Sequence, residues 1–508
     1  MNREPDAVSA ARGVSYLGLQ SVVSSVARIV AFAFFARLIS VDQMGVFTIL
    51  NLANSAAWTF MGLGLTSVVT KFVAEDIAKG KREEAASVYY KALLLSELAS
   101  VLIAAGFLLS KFPVGVSHLP NSPAVSLIGV LFAIDVVANI GPTVASAFYG
   151  LREFKDYAVI YAIQASLRPW LVVLLIYEVR SLVGLMEAWV FSDSLLAVYV
   201  FMYLWRRLGP PVFKFDTKYL LKLSIPLYLA SVASFLYNTF DQLTLIPLVS
   251  LTALGVYGAV LTAYSAISAY SGLTSVLGSV LLPVFSGVQG IKGSEALKSS
   301  VDRASRYVSI VGVPIAFSLM ATARPVLTLL VGGAYGGGTL PLAVLALAST
   351  ASIIALSLSP ILIVLNETLL AALASILPIP IGVAVALISI PTLGILGASI
   401  ARGLSMLLGL LMTWYFVRRK IPVKLDYEAI MKSIVASVAM ALIMEALQLL
   451  YYSRFLLPLY LLAGVPVYLL AMRALKGMNT ADIELLRQTL GPRFGGRICD
   501  FLSRLVVR

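Results

Sequence analysis

Runs of about 20 apolar residues, parted by short polar loops, recur along the whole chain, and about 20 such residues cross the hydrocarbon core of a bilayer as one helix. Fourteen stretches have that length: 14–38, 46–69, 88–110, 124–148, 157–177, 182–204, 221–248, 254–283, 305–330, 339–364, 369–390, 394–417, 429–451 and 454–475. The pattern predicts an all-α multi-pass membrane protein with fourteen transmembrane helices. The arm before the first stretch carries Glu4 and Asp6 and has no small-residue cleavage site. The first stretch therefore reads as a true span and not as a signal peptide.

Composition agrees with lipid as the solvent. Apolar residues make up 60% of the chain and charged residues 12%, against roughly 45–50% and about 25% in soluble domains. The mean hydropathy is +0.94. So few charges cannot cover that much apolar surface in water, which excludes disorder, a secreted disulfide module and an ordinary cytosolic enzyme. The one cysteine, Cys499, allows no intrachain disulfide, and the one histidine, His118, excludes a histidine-built metal site. No cofactor is expected.

The net charge of +13 gains a meaning once the loops are read for orientation. With the N-terminus placed in the cytoplasm, thirty of the 38 basic residues fall in cytoplasmic segments, and only Lys111, Arg180 and Arg454 fall outside. This predicts a cell-membrane protein with both termini cytoplasmic, and nucleic acid is not needed to explain the charge. The external loops are short, which leaves no place for the catalytic carboxylates of a membrane glycosyltransferase. The chain is accordingly expected not to be an enzyme.

An internal repeat organises the spans. Sliding 21–47 onto 231–257, an offset of 210, pairs Ser21 with Ser231, Ser24 with Ser234, Leu38 with Leu248, Ser40 with Ser250 and Gly45 with Gly255. At offset 213, Phe72, Lys79, Gly80 and Ser87 meet Phe285, Lys292, Gly293 and Ser300. Both copies start with a span of the same direction, so the predicted architecture is two pseudo-twofold six-helix bundles, 1–208 and 209–420, around a central cavity. Chance similarity between Leu/Val/Ser-rich helices is the alternative. Residues 421–476 add two transmembrane helices. In 477–508 the residues Ile498, Phe501, Leu502, Leu505 and Val506 share one face beside Arg497, Arg504 and Arg508, an amphipathic tail suited to the inner leaflet.

Six segments carry a family resemblance: ARLISVDQMGVFTI (36–49), KFVAEDIAKGKREEA (71–85), YGLREFKDYA (149–158), LYNTFDQL (236–243), LGVYGAV (254–260) and PTLGILGASIA (391–401). In this register the chain resembles the polysaccharide flippases of the multidrug/oligosaccharidyl-lipid/polysaccharide (MOP) exporter superfamily. Relatives there include the lipid II flippases, which also have two extra spans, and the MATE-type drug/cation antiporters. The resemblance implies translocation of a polyprenyl phosphate- or pyrophosphate-linked oligosaccharide from the inner to the outer leaflet by alternating access. It implies as partners that substrate, membrane lipids, a coupling proton or sodium ion, and glycan-assembly enzymes. The rival expectation is a cation-coupled drug or metabolite antiporter.

Ionisable side chains within spans are the candidate chemistry, because each costs a few kcal/mol to place in lipid. Arg28 sits near the middle of the first span with Ser21, Ser24 and Ser25 on its face. A guanidinium matches phosphate oxygens bidentately, and the lipid II flippases similarly place a basic residue on helix 1. The alternative for Arg28 is an ion pair with Asp135 or Glu97. Its repeat mate is Asn238, so a phosphate site there would be asymmetric. Arg168, beside Pro169, is expected either to pair with Asp193 or to serve the cavity. Arg324 and Arg402, in the outer halves of their spans, are expected at a cavity rim or in packing, and Arg37 is expected to snorkel. Asp135 shares a face with Asn139 and Ser146, and Asp241 continues the stripe Ser231, Ser234, Asn238. Asp135, Asp193, Asp241 and Glu97 are the candidates for coupling to a proton or sodium gradient, with structural ion pairing as the alternative. Pro226, Pro378 and Pro380 are candidate bend points, and GGAYGGG (332–338) reads as a flexible turn, not a phosphate cradle.

Overall fold

The computed structural model describes residues 6–109, 123–267, 269–423 and 425–477. Every regular element among them is helical. In chain order these are α1 (Asp6–Leu38), α2 (Val41–Met61), α3 (Leu65–Ala78), α4 (Arg82–Leu109), α5 (Pro123–Ala138), α6 (Gly141–Gly150), α7 (Phe154–Val179), α8 (Leu182–Leu208), α9 (Thr217–Leu245) and α10 (Leu251–Ile267). They continue as α11 (Ala269–Ala321), α12 (Ala323–Leu330), α13 (Thr339–Ala355), α14 (Ser359–Val364), α15 (Thr368–Ile376), α16 (Pro378–Leu393), α17 (Ile395–Lys420), α18 (Tyr427–Leu450) and α19 (Leu457–Ala474). The amphipathic tail expected at 477–508 lies almost wholly outside the described residues.

Twelve of the described helices are long and apolar enough to cross a membrane, and thirteen spans result when the bent pair α2–α3 is taken as one. The count of fourteen is not reached, because the expected span 254–283 is divided between α10 and the start of α11, and its first part, Leu251–Ser265, is only a short apolar helix. Large apolar side chains stand fully outward, such as Leu102 and Leu449 at 73% and 82% exposure. Water would penalise that surface and lipid does not.

Several spans that read as continuous in the sequence are broken. The stretch 46–69 bends by 45° between α2 and α3, where Leu63 and Gly64 take positive φ. Gly64 is required there twice over: a Cβ would lie 2.5 Å from the Tyr228 nitrogen and 2.6 Å from the Ser224 carbonyl of α9. The stretch 124–148 breaks at Asn139–Ile140, because Pro142 at the start of α6 cannot continue the hydrogen-bond ladder of α5. The stretch 305–330 ends its long helix at Ala321, and α11 itself is two helices meeting at Gly293, φ 74°. A break at Leu377–Pro378 separates α15 from α16, where proline was expected to bend the chain. GGAYGGG forms a 3-10 helix, Gly333–Gly338, and not a flexible turn.

The chain forms two compact units, Met1–Gly255 and Val256–Arg508. In the first, a core of Leu65, Val69, Tyr89, Val144, Phe148, Val200, Leu204 and Leu220 joins α3, α4, α6, α8 and α9. Within this unit α2 meets the start of α10 in close backbone contact. A Cβ on Gly45 would overlap the Leu251 carbonyl, and one on Gly255 would overlap the Val41 carbonyl. Thr252 donates to Asp42 Oδ1 at 2.5 Å. Val41, Asp42 and Gly45 are each 210 positions from Leu251, Thr252 and Gly255, so the residues that touch are the ones the offset pairs. Lipid supplies no hydrophobic drive between helices, and close backbone approach at small residues takes its place.

In the second unit α18 and α19 are fixed to α11 by Val313, Met440, Met444, Tyr460 and Met472. Polar links reinforce the packing: Ser433 donates to the Ser309 carbonyl at 3.2 Å, Tyr468 to the Ile310 carbonyl at 2.8 Å, and Gln448 to the Ala321 carbonyl at 2.8 Å. Arg306 pairs with Asp426 at 3.0 Å and donates to the Gly477 carbonyl at 2.9 Å, closing the same end of all three helices.

Candidate functional site

The candidate arginines part company in the structure. Arg28 is exposed on α1, where Ser24 is buried. Its Nε donates to the Ser24 carbonyl at 3.3 Å and its Nη2 to Ser25 Oγ at 3.3 Å, so among the described residues it is steadied by its own helix. Gln20 in turn donates to Ser24 Oγ at 3.1 Å. The ion pair with Asp135 or Glu97, held open as the alternative, does not form. Asp135 has another cation, and no salt bridge reaches Glu97 among the described residues. Glu97 accepts from Ser100 at 3.3 Å through one oxygen and leaves the other buried without a partner.

Arg168 is the cation that Asp135 faces. It projects from α7 with a side chain 19% exposed, between a fully buried Asp135 of α5 and Asp193 of α8. Nη1 lies 3.3 Å from Asp193 and Nη2 lies 3.8 Å from Asp135, while the guanidinium carbon sits 4.4 Å from the centre of the Trp189 ring. Gln164, one turn earlier on α7, donates to Asp193 Oδ1 at 3.1 Å. The pairing expected between Arg168 and Asp193 is thus present, and Asp135 joins it. A cavity of about 100 Å³ opens beside the cluster, lined by Trp58, Asn139, Tyr161, Gln164, Arg168 and Asp193 among others. Asn139 reaches it because α5 stops there, its Oδ1 accepting from the Gly141 nitrogen at 3.1 Å.

Sequence reading missed Tyr161 and Gln164, although a signal was available. Tyr157, Tyr161, Gln164 and Arg168 recur at steps of four, three and four, one polar stripe on an otherwise apolar helix. The stripe leads to the start of α7. There the Tyr203 hydroxyl contacts Glu153 at 3.0 Å and Asp156 at 2.8 Å, and Arg207 pairs with Glu153 at 3.0 Å. Burial pushes the Glu153 carboxyl above its ordinary value, against the pull of the Tyr203 hydrogen bond and of Arg207.

The remaining candidates lie elsewhere. Arg324 is not within a long span: it stands exposed on α12, stacked 4.2 Å over the ring of Tyr452, whose hydroxyl meets Thr328 at 2.9 Å. The long helix α11 stops short of it because the chain turns at Thr322. Arg402 is half-buried near the start of α17. On α9, Asn238 is exposed and bonds back to the Ser234 carbonyl at 2.8 Å, while Asp241 is fully buried. Arg37 likewise bonds back to its own helix, at the Ala33 carbonyl. Among the described residues, no three acids, histidines or cysteines gather as a metal site.

The structure is similar to that of a lipid II flippase, MurJ, in an inward closed conformation, with a TM-score of 0.68 at 12% identity, covering 90% of this chain and 98% of the other. A multidrug-resistance MATE transporter of the MOP superfamily, inward-facing, gives 0.60 at 14%, covering 78% and 94%. A MOP superfamily transporter from Pyrococcus furiosus, described as having a binding pocket of reversed polarity, gives 0.54 at 16%, covering 81% and 95%. These likenesses establish the fold. No match was found among curated protein sequences. A family model described as polysaccharide biosynthesis protein matches residues 34–337, and one described as lipid II flippase MurJ matches 271–470. The first match spans more than half of the chain, which therefore belongs to the polysaccharide biosynthesis protein family.

Proposed function

We propose that the protein is a flippase that carries a polyprenyl phosphate- or pyrophosphate-linked oligosaccharide from the inner to the outer leaflet by alternating access. It performs no chemical step of its own. The observation that carries the reading is Arg28: an exposed guanidinium partway along a membrane span, held only by Ser24 and Ser25 of its own helix. No carboxylate among the described residues neutralises it. A free planar cation in lipid needs an anionic partner, and two parallel hydrogen bonds to phosphate oxygens fit its geometry. The family match and the flippase named among the structural relatives support the same substrate class.

In this reading the lipid tail lies along α18 and α19, whose outward Val435, Leu442, Leu462 and Val465 offer an apolar track. The excess of basic residues in one set of loops supports a cell-membrane protein with both termini in the cytoplasm. Arg168 is a structural cation, not a headgroup ligand. Opening and closing works through close helix crossings such as Gly45 on Leu251, which tight van der Waals fit makes two-state. The test is direct. Proteoliposomes holding the protein should speed the crossing of a labelled polyprenyl-pyrophosphate oligosaccharide, and a rate equal to that of empty vesicles would rule the function out.

Cation-driven antiport of a drug or metabolite is the second reading, favoured by the buried Asp241 and the Asp135–Asp193 cluster. It predicts uptake of amphipathic cations that is lost in Asp241→Asn.

A further inference from the structure

We propose that Asp135, Asp193 and Arg168 form a one-proton site, loaded from the Glu153 end of α7 along that helix's stripe of hydroxyl and amide side chains. The inference rests on the transporter reading above and names the coupling ion at this cluster.

Charge gives the first argument. Two carboxylates and one guanidinium, all largely buried, carry a net charge of −1 that low dielectric strongly disfavours. One proton makes the cluster neutral. Hydrogen bonding gives the second. Both Asp135 oxygens and Asp193 Oδ2 are buried with no hydrogen-bond partner among the described residues, and both carboxyl groups face the one guanidinium, at 3.8 and 3.3 Å. A proton held by one of them and donated to the other supplies the missing donor. Sodium fits poorly, because Arg168 already occupies the space between the acids at 3.3 and 3.8 Å, and a metal ion would meet a fixed positive charge.

The route is visible beside the cluster. The cavity of about 100 Å³ has room for roughly three waters. The Tyr161 hydroxyl that lines it is buried and has no partner. Tyr157 stacks next to Tyr161 with ring centres 4.4 Å apart, and Tyr149 of α6 lies 5.0 Å from Tyr157. Beyond them stand Glu153 and Asp156, which both contact the single Tyr203 proton; a second proton at this end would satisfy both acids. Tyr149 of α6 and Tyr89 of α4 also act electrostatically on Tyr161, and Glu97 of α4 acts on Tyr89. Arg28 of α1 bonds to its own helix, and α2 contributes only the unionisable Trp58 to the cavity. In the transfer a cavity water gives a proton to an Asp193 oxygen and takes one from the Tyr161 hydroxyl, which is reprotonated from the Glu153 end. Only O–H bonds break and form.

Infrared difference spectroscopy of the full-length protein in vesicles tests this without any transported substrate. The wild type should show a protonated-carboxyl band at neutral pH that is lost in Asp193→Asn and in Asp135→Asn, is kept in Glu97→Gln, and is unchanged by added sodium chloride. Tyr161→Phe should keep the band but slow its shift in heavy water severalfold. A band surviving in both aspartate variants, a band abolished by sodium, or a wild-type exchange rate in Tyr161→Phe would each overturn the proposal. Thermal unfolding of each variant identifies any that fails to fold, and the two aspartate variants stand in for one another. Because the readout involves no lipid-linked sugar, its failure is separate from failure of the flippase reading.

Discussion

Arg28 and Arg168 look alike in the sequence, each an arginine within an apolar span, and the structure gives them opposite surroundings. Arg168 is held by Asp135, Asp193 and the face of Trp189. Arg28 has only a serine hydroxyl and a carbonyl of its own helix and is otherwise exposed. The first has its counter-charges built in, and the second has none among the described residues. An arginine in a membrane is therefore read by its partners, not by its depth.

The sharpest way to break this comparison is to remove each guanidinium in turn. Arg168→Ala strands the buried Asp135–Asp193 pair, which carries one negative charge, and should lower stability by about 3–5 kcal/mol, the usual cost of orphaning a buried charge. Arg28→Ala should change stability by less than about 0.5 kcal/mol, as at other exposed positions. Denaturation in mild detergent measures both, and equal losses would erase the distinction. The next largest effect is expected at the repeat contact. Gly45→Val forces a side chain into the Leu251 carbonyl and should cost about 1–3 kcal/mol or part the helices, which loss of cross-linking between Asp42→Cys and Thr252→Cys would reveal. Smaller again is Asp193→Asn. If the acids share one proton at rest, the amide keeps the shape at a cost below about 1.5 kcal/mol; a loss as large as that of Arg168→Ala would mean that both acids are ionised.

The smallest effect concerns pH. Glu153 has its pKa raised by burial above the ordinary 4.5, so the folded state holds this proton more tightly than the unfolded chain. Its stability contribution is fully present below pH 4.5 and is lost as pH rises through the raised value. Glu153→Gln should flatten that part of the stability curve by less than about 1 kcal/mol. An unchanged curve would show that the carboxyl is not desolvated.

Much of the fold was legible because lipid imposes a simple rule: apolar length makes a span. The helices around Arg28, Asp193 and Asp241 fall where hydropathy puts them, and the Gly45–Gly255 correspondence found by sliding the sequence is a physical contact. Breaks inside spans were less legible. Gly64 is forced by the closeness of α9, 160 positions away in sequence, and the Asn139 break shows its effect only where it opens the cavity. Partner choice was illegible in principle, since Asp135 could face Arg28 or Arg168 at equal depth, and only helix rotation selects between them. Arg324 was misplaced for a related reason: apolar residues ran on past Thr322, but they formed a separate short helix carrying the arginine onto Tyr452.

The central claim is that Arg28 holds the headgroup phosphate. The most direct measurement is the initial rate at which Arg28→Ala and wild-type protein move a labelled polyprenyl-pyrophosphate oligosaccharide across reconstituted vesicles. Loss of charge-assisted hydrogen bonds worth about 1.5–3 kcal/mol predicts a rate roughly tenfold to a hundredfold below wild type, with Arg28→Lys in between. A wild-type rate in Arg28→Ala, with the protein folded and inserted, would contradict it.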